Sequence, residues 1–244
     1  MINGLKIKLE ENKGWIDSSS KLDTSNIKKD FKKLAESIIS ETEEIAVFDA
    51  MKIMNEHFNK ELNKFDVFIS HSHQNLEEVL KLAKIIEDKG KKVFIDSLYW
   101  NFADDLLKEL DNKYCRNDNS DSFDYSKRNI STALVHSILS NSLQMMIDRC
   151  DTFLFLNSDN INHLTIEKYD KNYTTSPWIY TELLTANIIL TNRLTYKSEN
   201  ARGYQIYNGT KDIYFMFDLE QFLKNLTPVN SESNLLKELG INGK

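Results

Sequence analysis

Trp178 and Glu182, four residues apart in the segment SPWIYTELL (176–184), are the side chains whose types and spacing most directly invite a chemical reading. Ser176 is a good N-cap, and Pro177 suits the first helical position, where its missing N–H is no loss. The spacing therefore predicts a helix that starts here. At 3.6 residues per turn Trp178 and Glu182 share one face, which sets a flat apolar plate beside a carboxylate. Taken alone, the pair is packing, a half-buried Trp next to a solvated Glu. With polar groups from elsewhere converging on it, the same pair is a site.

Those polar groups sit in three segments that follow apolar runs: SHSHQN (70–75), DSLYW (96–100) and NSDN (157–160). None of the seven glycines follows one of these runs, so neither a Walker phosphate loop nor a GxGxxG fingerprint exists. His71 and His73 alternate along an extended end and need not converge on a metal, and no third His or Cys has a supporting spacing. No GxSxG elbow is present, and neither Cys115 nor Cys150 is placed near a His by the sequence. One reaction needs little more than a single acid beside an aromatic plate. When the bond between ribose and a pyridinium ring breaks, as in NAD, the leaving group departs neutral and needs no general acid. A lone carboxylate can face the charge that develops at the anomeric carbon, whereas ordinary glycosidases need a second carboxyl to protonate the leaving alcohol. In this reading Glu182 is the catalytic residue, and the Trp178 face covers the nucleotide or the departing ring.

The elements that must hold these residues follow from the pattern of apolar positions. From residue 64 onward, short apolar runs alternate with amphipathic segments, which predicts a parallel sheet covered by helices on both faces. The strands are FDVFIS (65–70), KVFID (92–96), DTFLFLN (151–157) and DIYFMFDL (212–219). Helices are expected over 75–90, ending at Gly90 in the left-handed conformation, then over 102–110, 130–149 and 177–192, with a short one near 219–226. Ligands bind such a sheet outside the carboxyl ends of its strands, where the strand order reverses, and the three polar segments lie at those ends. Ahead of this core, residues 1–23 are polar and carry no assigned element. Residues 24–63 have helical spacing and a capping box at SETE (40–43), so 1–63 reads as an N-terminal helical extension. Its apolar stripes pack against the core, a partner or a second copy. Residues 97–130 read as a long insertion, and 221–244 as a C-terminal tail.

A length of 244 residues, 41% hydrophobic and 28% charged, suits a folded globular chain with a sizeable core. The net charge of −6 gives no basic field, so a nucleic-acid partner is not expected. No stretch approaches the ~20 apolar residues of a membrane span, and the first residues lack the apolar run of a signal peptide. Two cysteines without a CxxC spacing fit reduced thiols in a cytoplasm.

The segments FDVFISHSHQN (65–75), KKVFIDS (91–97) and SPWIYTEL (176–183) together resemble the first, second and third boxes of the TIR domain, and occur in the same order. The resemblance covers about residues 64–220. It implies a flavodoxin-like TIR fold with five parallel strands, and it aligns Glu182 with the catalytic Glu of bacterial TIR enzymes that act as NAD glycohydrolases or ADP-ribosyl cyclases. Trp178 aligns with the aromatic residue ahead of that Glu. Carried over residue by residue, it assigns substrate binding to Ser70, His71, Ser72 and His73 after the first box. The positions at which some relatives carry basic residues here hold Ser and His. After the second box it offers Asp96, Tyr99 and Trp100, for which the alternatives are a strand-end cap (Asp96) and loop packing (Tyr99 and Trp100).

A TIR protein of this size resembles the signal-producing proteins of Thoeris anti-phage defence, which implies NAD as substrate with no separate cofactor and no metal. It also implies self-association through TIR–TIR contacts, a phage-derived trigger, and a cyclic or conjugated ADP-ribose messenger as product. The competing expectation is a non-catalytic TIR scaffold acting by homotypic assembly. A nucleoside-processing enzyme of related fold, with Glu182 as ribosyl-transfer nucleophile, is a third.

Overall fold

The computed structural model describes residues 2–25, 38–41, 46–54, 65–117, 121–161, 172–191 and 216–241. In chain order the elements are β1 (Asn3–Lys8), α1 (Leu9–Ile16), β2 (Ile38–Glu41), β3 (Ala46–Phe48), α2 (Ala50–Ile53), β4 (Val67–Ser70), α3 (Leu76–Glu87) and β5 (Val93–Ile95). They continue with α4 (Ser97–Tyr114), α5 (Tyr125–Arg149), β6 (Thr152–Asn157), β7 (Tyr173–Thr174), α6 (Pro177–Thr191), β8 (Phe217–Asp218), α7 (Glu220–Leu223), β9 (Thr227–Val229) and α8 (Glu232–Glu238).

Five strands form one sheet in the order β5–β4–β6–β1–β9, and every neighbouring pair is parallel. Each strand alternates its side chains between the two faces, as a period of two requires. Val67, Ile69, Val93, Ile95, Leu154 and Leu156 point to an aliphatic core with Val79, Leu82 and Ile86 of α3, Ile16 of α1 and Leu235 of α8. Phe68, Phe94, Phe153 and Phe155 point the other way, toward Leu106 of α4, Leu139 and Met146 of α5, and Leu183 and Ala186 of α6. Phe94, Phe68 and Phe153 are in register across three strands, with stacked rings 5.3 and 5.8 Å apart. Such cross-strand aromatic rows fix register, because a slip of one residue would turn every ring to the wrong face.

The expected strands at 65–70, 92–96 and 151–157 correspond to β4, β5 and β6. Gly90 has φ +86°, which ends the α3 turn as expected. Other expectations are corrected. Residues 1–23, given no element, contain β1, which lies between β6 and β9 inside the sheet. The chain's first residues are therefore not part of an extension ahead of the core. Leu5 and Ile7 are fully buried on the aliphatic face, while Lys6 on the opposite face runs its stem over the sheet and donates from Nζ to the Leu223 carbonyl at 2.7 Å. At Gly4 a Cβ would come within 2.6 Å of Leu190 Cδ1, so the missing side chain lets α6 close on the strand.

In the expected helical segment 24–63, residues 38–41 instead pair antiparallel with 46–48, and a short helix follows at Ala50–Ile53. Ser40 and Glu41 of the expected capping box thus lie in a strand; residues 26–37, 42–45 and 55–64 are outside the described residues. The expected strand 212–219 is reduced to Phe217–Asp218, paired antiparallel with Tyr173–Thr174 away from the main sheet, and residues 212–215 are outside the described residues. The fifth strand is β9, in the segment read as a tail, and its Val229 is fully buried. Within 97–130 the helix expected over 102–110 is longer, Ser97–Tyr114, the helix expected from 130 starts earlier, at Tyr125, and the two pack together; residues 118–120 are outside the described residues. Helix α4 leaves β5 directly, and α5 begins at Tyr125, where Asp124 accepts a hydrogen bond from the Lys127 N–H at 2.8 Å. No described helix is long and apolar enough to cross a membrane.

Burying Leu5 and Ile7 contributes about 1.5–3 kcal/mol each, so their sum rivals the net stability of a whole domain. A chain truncated to begin at residue 24 is expected to lose its cooperative urea transition, followed by far-UV circular dichroism. An unchanged midpoint would show that β1 is dispensable.

Candidate functional site

The chain passes from β4 to β5 on one side of the sheet, while β6 lies on the other side of β4, so the strand order reverses between β4 and β6. Ser70 ends β4 at this point. Its Oγ donates to Glu182 Oε2 at 2.6 Å, deep inside the protein. Helix α6 brings the carboxylate there because its start is fixed: Ser176 Oγ accepts from the Ile179 N–H at 3.3 Å, the N-cap geometry its sequence predicts. Glu182 falls on the second turn, 1% exposed, with its helix face turned to the sheet edge. Its other oxygen, Oε1, is buried with no hydrogen-bond partner among the described residues.

A second pair lies beside it. His71 Nδ1 is 3.0 Å from Asp96 Oδ1, and His71 Nε2 is 2.9 Å from Ser97 Oγ; the imidazole and the carboxylate are both buried. Asp96 occupies the N-cap position of α4 but makes no side-chain capping bond, so the strand-end cap that the sequence allows is not its role. Ser97 escapes a reading by residue type because a Ser after a strand is commonplace. Its only sequence signal is its place directly after Asp96.

Burial, then the neighbouring Asp96 charge, push the Glu182 carboxyl well above the ordinary carboxylate range; the Ser70 hydroxyl acts in the opposite direction. Two buried carboxyls this close do not both ionise readily, so the pair favours holding a proton between them.

The other predicted residues divide. Ser72 is buried and donates to the Asn160 carbonyl at 3.0 Å, and Ser158 Oγ donates to Asn75 Oδ1 at 2.6 Å, so the turn after β4 is stitched to the loop after β6. His73 is exposed, its ring centroid 6.4 Å from that of His71. Trp178 is half-buried and meets His136 of α5 edge to face at 5.6 Å, which gives its indole a packing role between helices. Tyr99 and Trp100 lie in the first turn of α4 rather than in a loop, and their side chains are outside the described residues. Neither cysteine joins the site. Cys150 precedes β6, at the opposite edge of the sheet, and burial pushes its thiol up to about 12, far from a reactive thiolate. Among the described residues no group of three or more His, Cys, Asp or Glu side chains is arranged to hold a metal ion.

One strand further along the same edge, an open cavity of about 200 Å³ lies over the ends of β6 and β1. Tyr173, Ile161 and Leu219 form its buried apolar floor; Lys8, Glu10, Asn157, Asp159 and Asn172 stand around it. It does not include Glu182.

Protein-family models, curated proteins and solved structures give no match to this chain.

The raised carboxyl gives a stability prediction. Folding binds the Glu182 proton more tightly than the unfolded chain does, whose value is near 4.5. This stabilisation is complete below that value and is lost as pH rises through the folded pKa. Glu182→Gln keeps the shape, accepts from Ser70 and donates an amide N–H toward Asp96. Its thermal midpoint is expected to equal or exceed that of wild type at pH 7–8, with the advantage shrinking toward pH 5. A variant less stable at every pH would contradict a raised Glu182 carboxyl.

Proposed function

We propose that this chain is a TIR-like enzyme that cleaves the nicotinamide–ribose bond of NAD, with Glu182 as the catalytic residue. The observation that carries the reading is the hydrogen bond from Ser70 to Glu182 at the sheet's carboxyl edge, with the Asp96 carboxyl within hydrogen-bonding reach of the same group. It joins the first and third of the three sequence segments in space. The second segment arrives through Asp96, paired with His71.

The chemistry follows from charge. At rest Glu182 is closed off from solvent, so substrate entry requires the turn at 71–75 or the start of α4 to move aside. The pyridinium ring of the substrate brings a positive charge into this dry space, where it favours the ionised carboxylate. As the ring leaves, its charge is neutralised and a positive charge develops on the ribose. The Glu182 carboxylate then stabilises that carbon electrostatically. Ser70 holds one carboxylate oxygen in place, which leaves the other to meet the substrate. The ribosyl carbon vacated by nicotinamide then forms its new bond to a nucleophilic atom of the same molecule or of a second acceptor, whose proton passes to solvent, giving a cyclic or conjugated ADP-ribose messenger, consistent with a cytoplasmic role in anti-phage defence, self-association through TIR–TIR contacts and a phage-derived trigger.

A second reading is favoured by one specific feature. Glu182 is 1% exposed and bonded to Ser70, which also suits a pin that locks α6 to β4 in a non-catalytic scaffold assembling with its own kind.

Purified protein incubated with NAD, alone and with infected-cell lysate, is expected to release nicotinamide, detected by mass spectrometry together with the ribosyl product. Glu182→Gln should lower kcat by about a hundredfold or more, because a preorganised charge facing the transition state is removed. Ser70→Ala should cost roughly tenfold, the scale of one hydrogen bond to a charged group. Absence of nicotinamide under every trigger, or full activity in Glu182→Gln, would leave the scaffold reading.

A further inference from the structure

The cavity over the ends of β6 and β1 has no part in the chemistry described so far, yet it opens on the same edge of the sheet as Glu182. Neighbouring strands lie about 4.8 Å apart, so the ends of β4 and β1 are separated by roughly 10 Å. The two places are joined structurally. Ser158 lines the cavity and donates to Asn75 in the turn after β4, while Tyr173 on the cavity floor lies just before α6 begins.

The lining has a definite chemical character. Its floor is closed by Ile161, Tyr173 and Leu219, and its accessible lining is mostly polar. The surrounding carboxylates and amides can accept from hydroxyls and pair with a base edge. Glu10 Oε1 accepts from the Asp159 backbone N–H at 2.8 Å, which draws α1 and the loop after β6 together around the opening. Among the described residues the lining carries one ammonium group, Lys8, engaged by Glu11 at 2.7 Å, beside the carboxylates of Glu10 and Asp159, so the described rim is net negative and suits a neutral group. At about 200 Å³ the space is smaller than the roughly 300–1,000 Å³ of pockets that enclose a whole drug-sized ligand. It suits one part of a longer molecule.

We infer that this cavity is a subsite for a neutral nucleoside, and that, given the NAD-cleaving reading, it holds the adenosine half of the dinucleotide while the nicotinamide riboside half lies at Glu182. Substrate is thereby anchored at a distance from the bond that breaks, and the binding energy of the far half is available to move the segments that close over Glu182.

The test uses adenosine as a probe on the full chain, with two substitutions at exposed rim positions. Isothermal titration should show adenosine binding to wild type, weakened about tenfold in Asp159→Asn and abolished in Asn172→Trp, whose indole fills the mouth. Among active proteins, the preference for NAD over nicotinamide mononucleotide in kcat/KM should fall about tenfold in Asn172→Trp. No adenosine binding to wild type, or equal binding to folded Asn172→Trp, overturns the subsite. Failure of the enzymatic reading is separately visible: wild type would bind adenosine and yet release nicotinamide from neither substrate.

Discussion

The candidate site depends on a carboxyl group kept dry. Glu182 is held between a strand end and a helix, where its charged form is disfavoured by lost hydration and by Asp96 beside it. The surrounding structure must supply what water would have supplied. Ser70 satisfies one oxygen, the N-capped start of α6 fixes the direction of approach, and the aromatic row beneath β4 holds Ser70 in register. The arrangement stores an electrostatic demand that remains unmet in the isolated chain. A cationic ligand is one way to meet it, which is why the same feature supports catalysis and why it limits stability at high pH.

Much of the core was legible because three strands are buried on both faces and read as short apolar runs: VFIS, VFI and TFLFLN. The start of α6 was equally plain, since Ser-Pro encodes an N-cap and a first helical turn together. Glu182 and Ser70 could be singled out from residue type and segment, but their contact could not, because it spans distant parts of the chain. The partnership of His71 with Asp96 was hidden for the same reason.

The failures have particular causes. In NGLKIK the alternation that defines β1 is present, yet Lys6 faces a buried surface by extending its ammonium to a carbonyl, a solution invisible to a scale of residue polarity. In TPV the strand is three residues long and contains a proline. It is tolerable because β9 lies at the sheet edge, and its register is set by β1 rather than by its own pattern. DIYFMFDL looked far more like a strand, but only two of its residues are paired among those described. Spatially β5, β4 and β6 occupy the first three positions of a 2-1-3-4-5 order, while the fourth is filled by the chain's first strand and the fifth by its last. Local pattern carries no information about such an exchange of position.

This placement of β1 bears on how the protein comes into being. Leu5 pairs with Leu154 on one side and Thr227 on the other, so β1 finds its neighbours only once segments far downstream of it have been made. Contacts so remote in sequence slow folding, since a long loop must close before any pairing rewards it. Until then the apolar edges of β6 and β1 stay uncovered. Completion of this sheet thus waits on β9, and the nascent chain is a natural client for chaperones that shield exposed strands.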